Sequence, residues 1–428
     1  MNSEEALSWI NSFERFGIKL GLERISYIAK KLDNPNKNYK IVHVAGTNGK
    51  GSVCKFLASI LSESGYKTGC YISPHIQRFS ERITIDNKEI SDEKIASLVE
   101  KIKPIVEEMI KNNDTPTFFE IVTAMAFQYF SDEKVDFAVV EVGLGGKYDA
   151  TNIVEPMVSV ITNITLEHTD VLGKKIQDIA LQKSGIIKDG VAVVTAAEGD
   201  ALDIINNATV EKNASINIIN EKMWKRKSFD LGGQEFHIKG TLADYNVKTS
   251  MLGKHQGGNI SLAIATVENL QMNGIYIPET SIAEGVAKAT NPGRLEIVQH
   301  NPIVLLDGAH NPAGISTLKE ALNDFEHDKL IIVLGILSDK DVNSMLSIIV
   351  PGADTIVVTK SHGSRASEPT KLKEMIEKVG YKKNIIVKDQ IPDAIKYAKS
   401  IAKKDDLICV TGSLFTVGGA REYLVKNT

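Results

Sequence analysis

Lys40-Ile41-Val42-His43-Val44-Ala45-Gly46-Thr47-Asn48-Gly49-Lys50-Gly51-Ser52-Val53 is the stretch that decides the fold. An apolar run carrying the β-branched Ile41, Val42 and Val44 stops at a glycine-rich turn. Beyond the turn, Val53, Phe56, Leu57, Ile60 and Leu61 recur at helical spacing. Strand, glycine turn, helix is the setting in which a turn becomes a phosphate cradle. Gly46, Gly49 and Gly51 reach backbone angles closed to other residues, so successive N–H groups can converge on one anion. The helix N-terminus adds unsatisfied donors and its dipole, and Lys50 adds a mobile positive charge. The fit to G-x-x-x-x-G-K-S/T is imperfect: Val44 stands where the first glycine belongs, and Gly51 pushes the hydroxyl to Ser52. An ordinary turn with a surface lysine is the competing reading; the strand–turn–helix context favours a nucleotide site.

Working outward, the helix ends near Gly65, and Thr68-Gly69-Cys70-Tyr71-Ile72 reads as a buried parallel strand. That strand-helix-strand unit is the core of a mononucleotide-binding fold. Upstream, the chain through Leu32 reads as amphipathic helix. Downstream, residues 73–83 form a loop at the carboxyl end of a strand, where open α/β sheets bind ligands. Helices are expected over 92–111 and 118–130, and strands over 135–142 and 158–161. A helix ending at Gly185, read as its C-terminal cap, follows. From 191 to 252 the pattern weakens and reads as a sheet edge plus a small β excursion, followed by helices from about 255 and 281. After Asn291-Pro292-Gly293-Arg294, strand-helix alternation restarts, with strands expected at 303–306, 330–334, 355–358, 384–387 and 407–410. The expected fold is α/β: a P-loop mononucleotide-binding domain with a mostly parallel sheet over residues 1–295, then a smaller Rossmann-like domain over 296–428.

At 428 residues the chain is too long for one compact core, which agrees with two domains. A net charge of −4 gives no electrostatic case for nucleic acid or an anionic membrane surface. Cys54, Cys70 and Cys409 sit in apolar runs without C-x-x-C spacing and read as reduced thiols. With no signal-peptide pattern and no apolar run long enough to span a bilayer, the expectation is a cytoplasmic protein. It is expected to be a monomer, because no long apolar stripe is left over once the helices are assigned to their sheets.

A triphosphate site calls for a Mg²⁺ platform of hard oxygen ligands. Glu141, at the end of a Val-Val strand, is the obvious ligand; a surface carboxylate at a strand-loop junction is the competing reading. Ser73 brings a hydroxyl from the neighbouring strand end. His168 alone reads as a loop histidine.

Several motifs then stop being generic. Gly46-Thr47-Asn48-Gly49-Lys50-Gly51-Ser52, Ser73-Pro74-His75, Glu81-Arg82-Ile83, Glu141-Val142-Gly143-Leu144-Gly145-Gly146 with Asp149-Ala150-Thr151-Asn152, and Asn291-Pro292-Gly293-Arg294 come in that order. So do His168-Thr169-Asp170-Val171-Leu172-Gly173, Lys183-Ser184-Gly185-Ile186-Ile187-Lys188, Gly253-Lys254-His255-Gln256 with Asn259, and Asp307-Gly308-Ala309-His310-Asn311-Pro312. Together they resemble the folylpolyglutamate synthase/dihydrofolate synthase family, relatives of the Mur cell-wall ligases, from about residue 20 to Gly412-Ser413. That family's phosphate loop also carries the glycine after the lysine. The resemblance implies that Gly49, Lys50, Gly51 and Ser52 hold the triphosphate of ATP. It implies that Ser73, Glu141 and His168 hold Mg²⁺, and that Lys183 is carbamylated and serves a second Mg²⁺. Asn259, Arg294 and Asp307 would contact ATP, His310 and Ser413 would contact L-glutamate, and the loop ending at Arg82 would lie near the folate. Among these, Lys50, Lys183 and His310 would be catalytic. Asn291 departs from the tryptophan frequent at its position in the family.

The implied reaction ligates glutamate to a folate carboxylate through an acyl phosphate, on tetrahydrofolate and, as a further activity, on dihydropteroate. Such chemistry needs positioning, charge stabilisation and exclusion of water, and hence a site that closes between two domains. A cell-wall amide ligase would need an N-terminal nucleotide domain, for which there is no room before residue 46. A regulatory ATPase that ligates nothing is the alternative of another class; phosphate release indifferent to folate and glutamate would favour it.

Overall fold

In the computed structural model, which describes residues 1–17, 19–363 and 365–425, two sheets carry the chain. The larger has eight strands, in the order Lys88–Glu89, Ile83–Ile85, Thr68–Tyr71, Phe137–Glu141, Lys40–Ala45, Val158–Ile161, Ala192–Thr195, Ile216–Ile218. From Thr68–Tyr71 onward the strands run parallel, and the two at the other edge are antiparallel. A parallel sheet must be covered on both faces, and Lys40–Ala45 shows how. Val42 and Val44 point into one core with the helices Lys50–Glu63 and Gln256–Met272. Ile41 points into the other, with the helices Asp92–Lys111 and Phe118–Asp132. Gln256–Met272 is buried on nearly all sides, its polar Asn259, Ser261, Thr266 and Glu268 included.

The smaller sheet has six strands, ordered Glu296–His300, Ile303–Leu306, Leu407–Thr411, Leu330–Leu334, Thr355–Val358, Asn384–Val387. All are parallel except the first, an antiparallel edge. The restart of strand-helix alternation after residue 294 therefore marks a second sheet, and the expected α/β class stands.

Two local expectations need correction. The helix expected through Leu32 is two, Ser3–Asn11 and Glu23–Lys31, because Gly17 (φ 60°) and Gly21 (φ 133°) turn the chain between them. Gly185 does cap the helix Ile176–Ser184, in a right-handed conformation with φ −61°. The region 191–252 holds an unforeseen helix, Gly199–Glu211, as well as the β excursion. The buried residues of that helix, Ala201, Ile205 and Thr209, form one thin row with a single large apolar side chain, too little for a periodic signal. The excursion itself is a three-stranded antiparallel sheet, Trp224–Asp230, Gly233–Lys239 and Asp244–Thr249. It reaches the second half of the chain: Arg226 grips Asp324 with two 2.6 Å hydrogen bonds, and Phe229 meets Phe325 edge-on at 5.8 Å.

Candidate functional site

The carboxyl ends of strands from both sheets open into one cleft of about 570 Å³. Gly46 to Ser52 form its floor. A Cβ on Gly46 would sit 1.8 Å from Thr162 Oγ1, and one on Gly49 would sit 2.5 Å from Asn259 Oδ1. Glycine alone lets the turn lie this close to its neighbours, with φ of 140° and 86°. The adjacent strand end staples the turn: Thr162 Oγ1 donates to the Asn48 carbonyl at 2.7 Å, and Asn48 N–H donates to Asn163 Oδ1 at 2.9 Å. The first bond of the following helix runs from Val53 N–H to the Gly49 carbonyl, so the amides before Val53 face the cleft end without helical acceptors. Lys50 Nζ donates to the Thr47 carbonyl at 3.1 Å and stands 4.0 Å from Glu141 Oε1.

Glu141 is buried at the end of Phe137–Glu141, and its Oε2 accepts the Ser73 N–H at 3.0 Å. Burial pushes its carboxyl up from the usual range, and the Lys50 charge pulls it back. A buried carboxylate beside a phosphate-type turn, with the Ser73 hydroxyl at hand, offers hard oxygens to a cation. Among the described residues no three His, Cys, Asp or Glu side chains gather closely enough to hold an ion alone. The donor set therefore fits Mg²⁺, which keeps waters and takes phosphate oxygens, better than a cation caged by protein. Lys183, buried, donates from Nζ to the Gly46 carbonyl at 2.6 Å. Burial, with the nearby Lys50 charge, pushes its amine down to about 7. Burial likewise takes the His168 ring down to about 4.

The linker and smaller sheet form the opposite wall. Asp307 leaves Ile303–Leu306 and accepts two backbone N–H groups, from Leu295 at 3.0 Å and Ala309 at 2.9 Å. Burial raises its carboxyl, and the Arg294 charge opposes this. Arg294 lines the same cleft, and Asn259 lines it from the large sheet's side. Asn291, the departure from the family pattern, donates to Ser52 Oγ at 3.1 Å, so it touches the phosphate turn itself.

Two family models match this chain: the Mur ligase middle domain over residues 44–267 and the Mur ligase glutamate ligase domain over residues 293–414. A Bacillus subtilis protein named dihydrofolate synthase/folylpolyglutamate synthase is 37% identical over 98% of this chain and 99% of its own length. The chain belongs to the dihydrofolate synthase/folylpolyglutamate synthase family. Mycobacterium tuberculosis folylpolyglutamate synthase, solved with ADP and AMPPCP, superposes with a TM-score of 0.92 at 33% identity, covering 99% of both chains. An Escherichia coli relative solved with DHPP and ADP gives 0.87 at 30% identity, covering 100% of this chain and 98% of its own.

In this family member the cleft gathers Gly49, Lys50, Gly51, Ser52, Ser73, Glu141, His168, Lys183, Asn259, Arg294, Asp307 and His310. Arg82 and Ser413 are not among its lining residues. Arg82 is buried behind the 73–82 loop, donating from Nε to His75 Nδ1 at 2.8 Å with its guanidinium over the Phe118 ring. Ser413 is buried as the cap of the last helix: its Oγ accepts the Thr416 N–H at 3.1 Å and bonds Ser361 Oγ at 2.8 Å. The residue that sequence reasoning passed over is Glu167. Its Oε1 lies 3.6 Å from His168 Nε2, 3.6 Å from His310 Nε2 and 3.3 Å from Asn311 Nδ2, tying both walls together. His310 Nδ1 donates to the Gly308 carbonyl at 2.8 Å, which turns Nε2 toward Glu167. Burial alone would push the Glu167 carboxyl up, but the His310 hydrogen bond and the Lys50 charge hold it well below the usual range. The carboxylate beside His168 was the available signal.

Proposed function

We propose that this ligase joins the amino group of L-glutamate to a carboxylate of a folate, converting ATP to ADP and phosphate. The acceptors are tetrahydrofolate, whose glutamate tail it lengthens, and dihydropteroate. The observation that carries the reading is one cleft with a phosphate turn on one wall and the Arg294–Asp307 pair on the other. The names of the relatives, which include both activities, support it. We take residues 1–295 as the ATP-binding domain and 296–428 as the ligase domain, in line with the two sheets and the two family matches.

A carboxylate resists attack because it repels an amine and offers no leaving group. Its oxygen therefore first attacks the γ-phosphorus of ATP, ADP departs, and an acyl phosphate forms. The glutamate amine then attacks the carbonyl carbon, loses a proton, and phosphate leaves. In this reading the amides of Gly49, Lys50, Gly51 and Ser52 hold the β- and γ-phosphates, and Lys50 neutralises charge that builds during transfer. Asn259, Arg294 and Asp307 hold the nucleotide from the far side. Mg²⁺, when bound, supplies charge neutralisation across the phosphate oxygens. Ser73, Glu141 and His168 would hold it, and a carbamate on Lys183 would serve a second ion. An ammonium cannot ligate a cation; an amine lowered to about 7 is free to add CO₂. His310, held by Glu167, faces the incoming glutamate.

The reading places a monomer in the cytoplasm, in keeping with three buried, free thiols. Phosphate release by the purified chain, with ATP and Mg²⁺, should require both L-glutamate and an acceptor. Release indifferent to both would replace the ligase with an ATPase.

A further inference from the structure

The 73–82 loop is folded around one side chain. The Glu81 carboxylate accepts the backbone N–H groups of Ile76 at 2.7 Å, Gln77 at 3.1 Å and Arg78 at 2.9 Å. At Ile76 and Gln77 the loop rests on the last helix of the smaller sheet, Leu414–Val425. There Gly418 lies so near that a Cβ on it would sit 2.2 Å from the Ile76 carbonyl oxygen. Arg421, one turn on, donates from Nη1 to Gln77 Oε1 at 2.5 Å. Its Nε bridges both oxygens of Glu296 at 3.0 and 3.1 Å, and Glu296 accepts the Gly293 N–H of the linker at 2.8 Å.

A glycine inside a helix is disfavoured relative to alanine, so Gly418 runs against local preference. The contact explains it: the loop backbone occupies the space a side chain would take. The Arg421–Glu296 pair is about one-fifth exposed at both residues, and the guanidinium uses Nε for Glu296 and Nη1 for Gln77, so one planar group fixes linker and loop together. Linker, last helix and loop are thus joined through Gly293, Glu296, Arg421 and Gln77, none of which is among the residues assigned above to ATP or Mg²⁺.

We infer that the helix Leu414–Val425 positions the 73–82 loop for the folate acceptor, with Gly418 and Arg421 as positioning residues that set acceptor affinity. This rests on the ligase reading; Ile76, Gln77 and Arg78 of the loop line the same cleft as the phosphate turn. Seating of the smaller sheet is then coupled to the acceptor and not only to ATP.

The full-length Gly418→Ala variant tests it, because alanine favours the helix and adds only the Cβ that displaces Ile76. With tetrahydrofolate and with dihydropteroate, the acceptor KM should rise on the order of tenfold, while the KM for ATP stays within about twofold. Arg421→Ala should do the same, and Arg421→Lys should recover part of the loss. Hydrogen exchange in the same variants should show faster exchange at the amides of residues 76–78. Unchanged exchange there, or faster exchange with an unchanged acceptor KM, would overturn the proposal. A native chain that ligates glutamate to neither acceptor would sink the ligase reading instead, and the exchange arm would still decide whether the helix holds the loop.

Discussion

Replacing Lys183 by methionine separates the chemistry of this side chain from its bulk. The amine sits buried against the Gly46 carbonyl, and its folded-state value of about 7 compares with 10.5 for an ordinary lysine. With that value most of the native side chains are uncharged at pH 8, whereas exposed lysines are nearly all charged, and only the uncharged amine adds CO₂. The same shift bears on stability. A lysine whose folded value is depressed binds its proton more weakly folded than unfolded, so stability rises with pH between the two values. From pH 6 to pH 9, in CO₂-free buffer, the native chain should gain about 3 kcal/mol relative to Lys183→Met. Denaturant unfolding at the two pH values measures this. With ¹³C-bicarbonate, the native chain should show a carbamate carbon signal that Lys183→Met lacks, and ligase activity should fall at least about a hundredfold in the variant. A stability difference that stays flat with pH would refute the buried-amine argument. Full turnover by Lys183→Met would refute the carbamate.

Lys50→Ala should lose on the order of a thousandfold in turnover at saturating ATP, with the fold retained and only a small fall in melting temperature, since Nζ bonds the Thr47 carbonyl within its own turn and its ion pair with Glu141 is long, at 4.0 Å. Arg294→Ala should lower kcat/KM for ATP by about a hundredfold while leaving unfolding by denaturant nearly unmoved, if the arginine serves the nucleotide and not the linker. Normal turnover would leave it a surface cation. Glu167→Gln keeps the shape but removes the charge between His168 and His310; the KM for L-glutamate should rise about tenfold, seen in initial rates at fixed ATP and acceptor.

The phosphate turn was legible because its cause is local: β-branched residues make the strand, and glycines with a lysine make the cradle. Glu141 was legible for a related reason, as a carboxylate breaking an apolar strand at the end where ligands bind. What joins the walls was not. The partners of Glu167, His310 and Asn311, lie in the loop after a strand of the other sheet, and no spacing rule brings residue 167 to residue 310. Ser413 shows the converse: a hydroxyl in a family motif reads equally as a ligand contact or a helix cap, and here its hydrogen bonds are those of a cap. Gly185 was legible as the end of its helix, although it caps in a right-handed conformation packed against Lys147. Asn291 was noticed only as a departure; its bond to Ser52 needed the linker's path.

The central claim is that ATP activates the acceptor's own carboxylate in this cleft. Tetrahydrofolate labelled with ¹⁸O in the reacting carboxyl group, turned over with ATP, Mg²⁺ and L-glutamate, tests it most directly. If an acyl phosphate forms and the amine displaces phosphate, one labelled oxygen should pass from the acceptor into inorganic phosphate at each turnover, and mass spectrometry of the phosphate reads it. Inorganic phosphate free of label, alongside glutamylated product, would contradict the account.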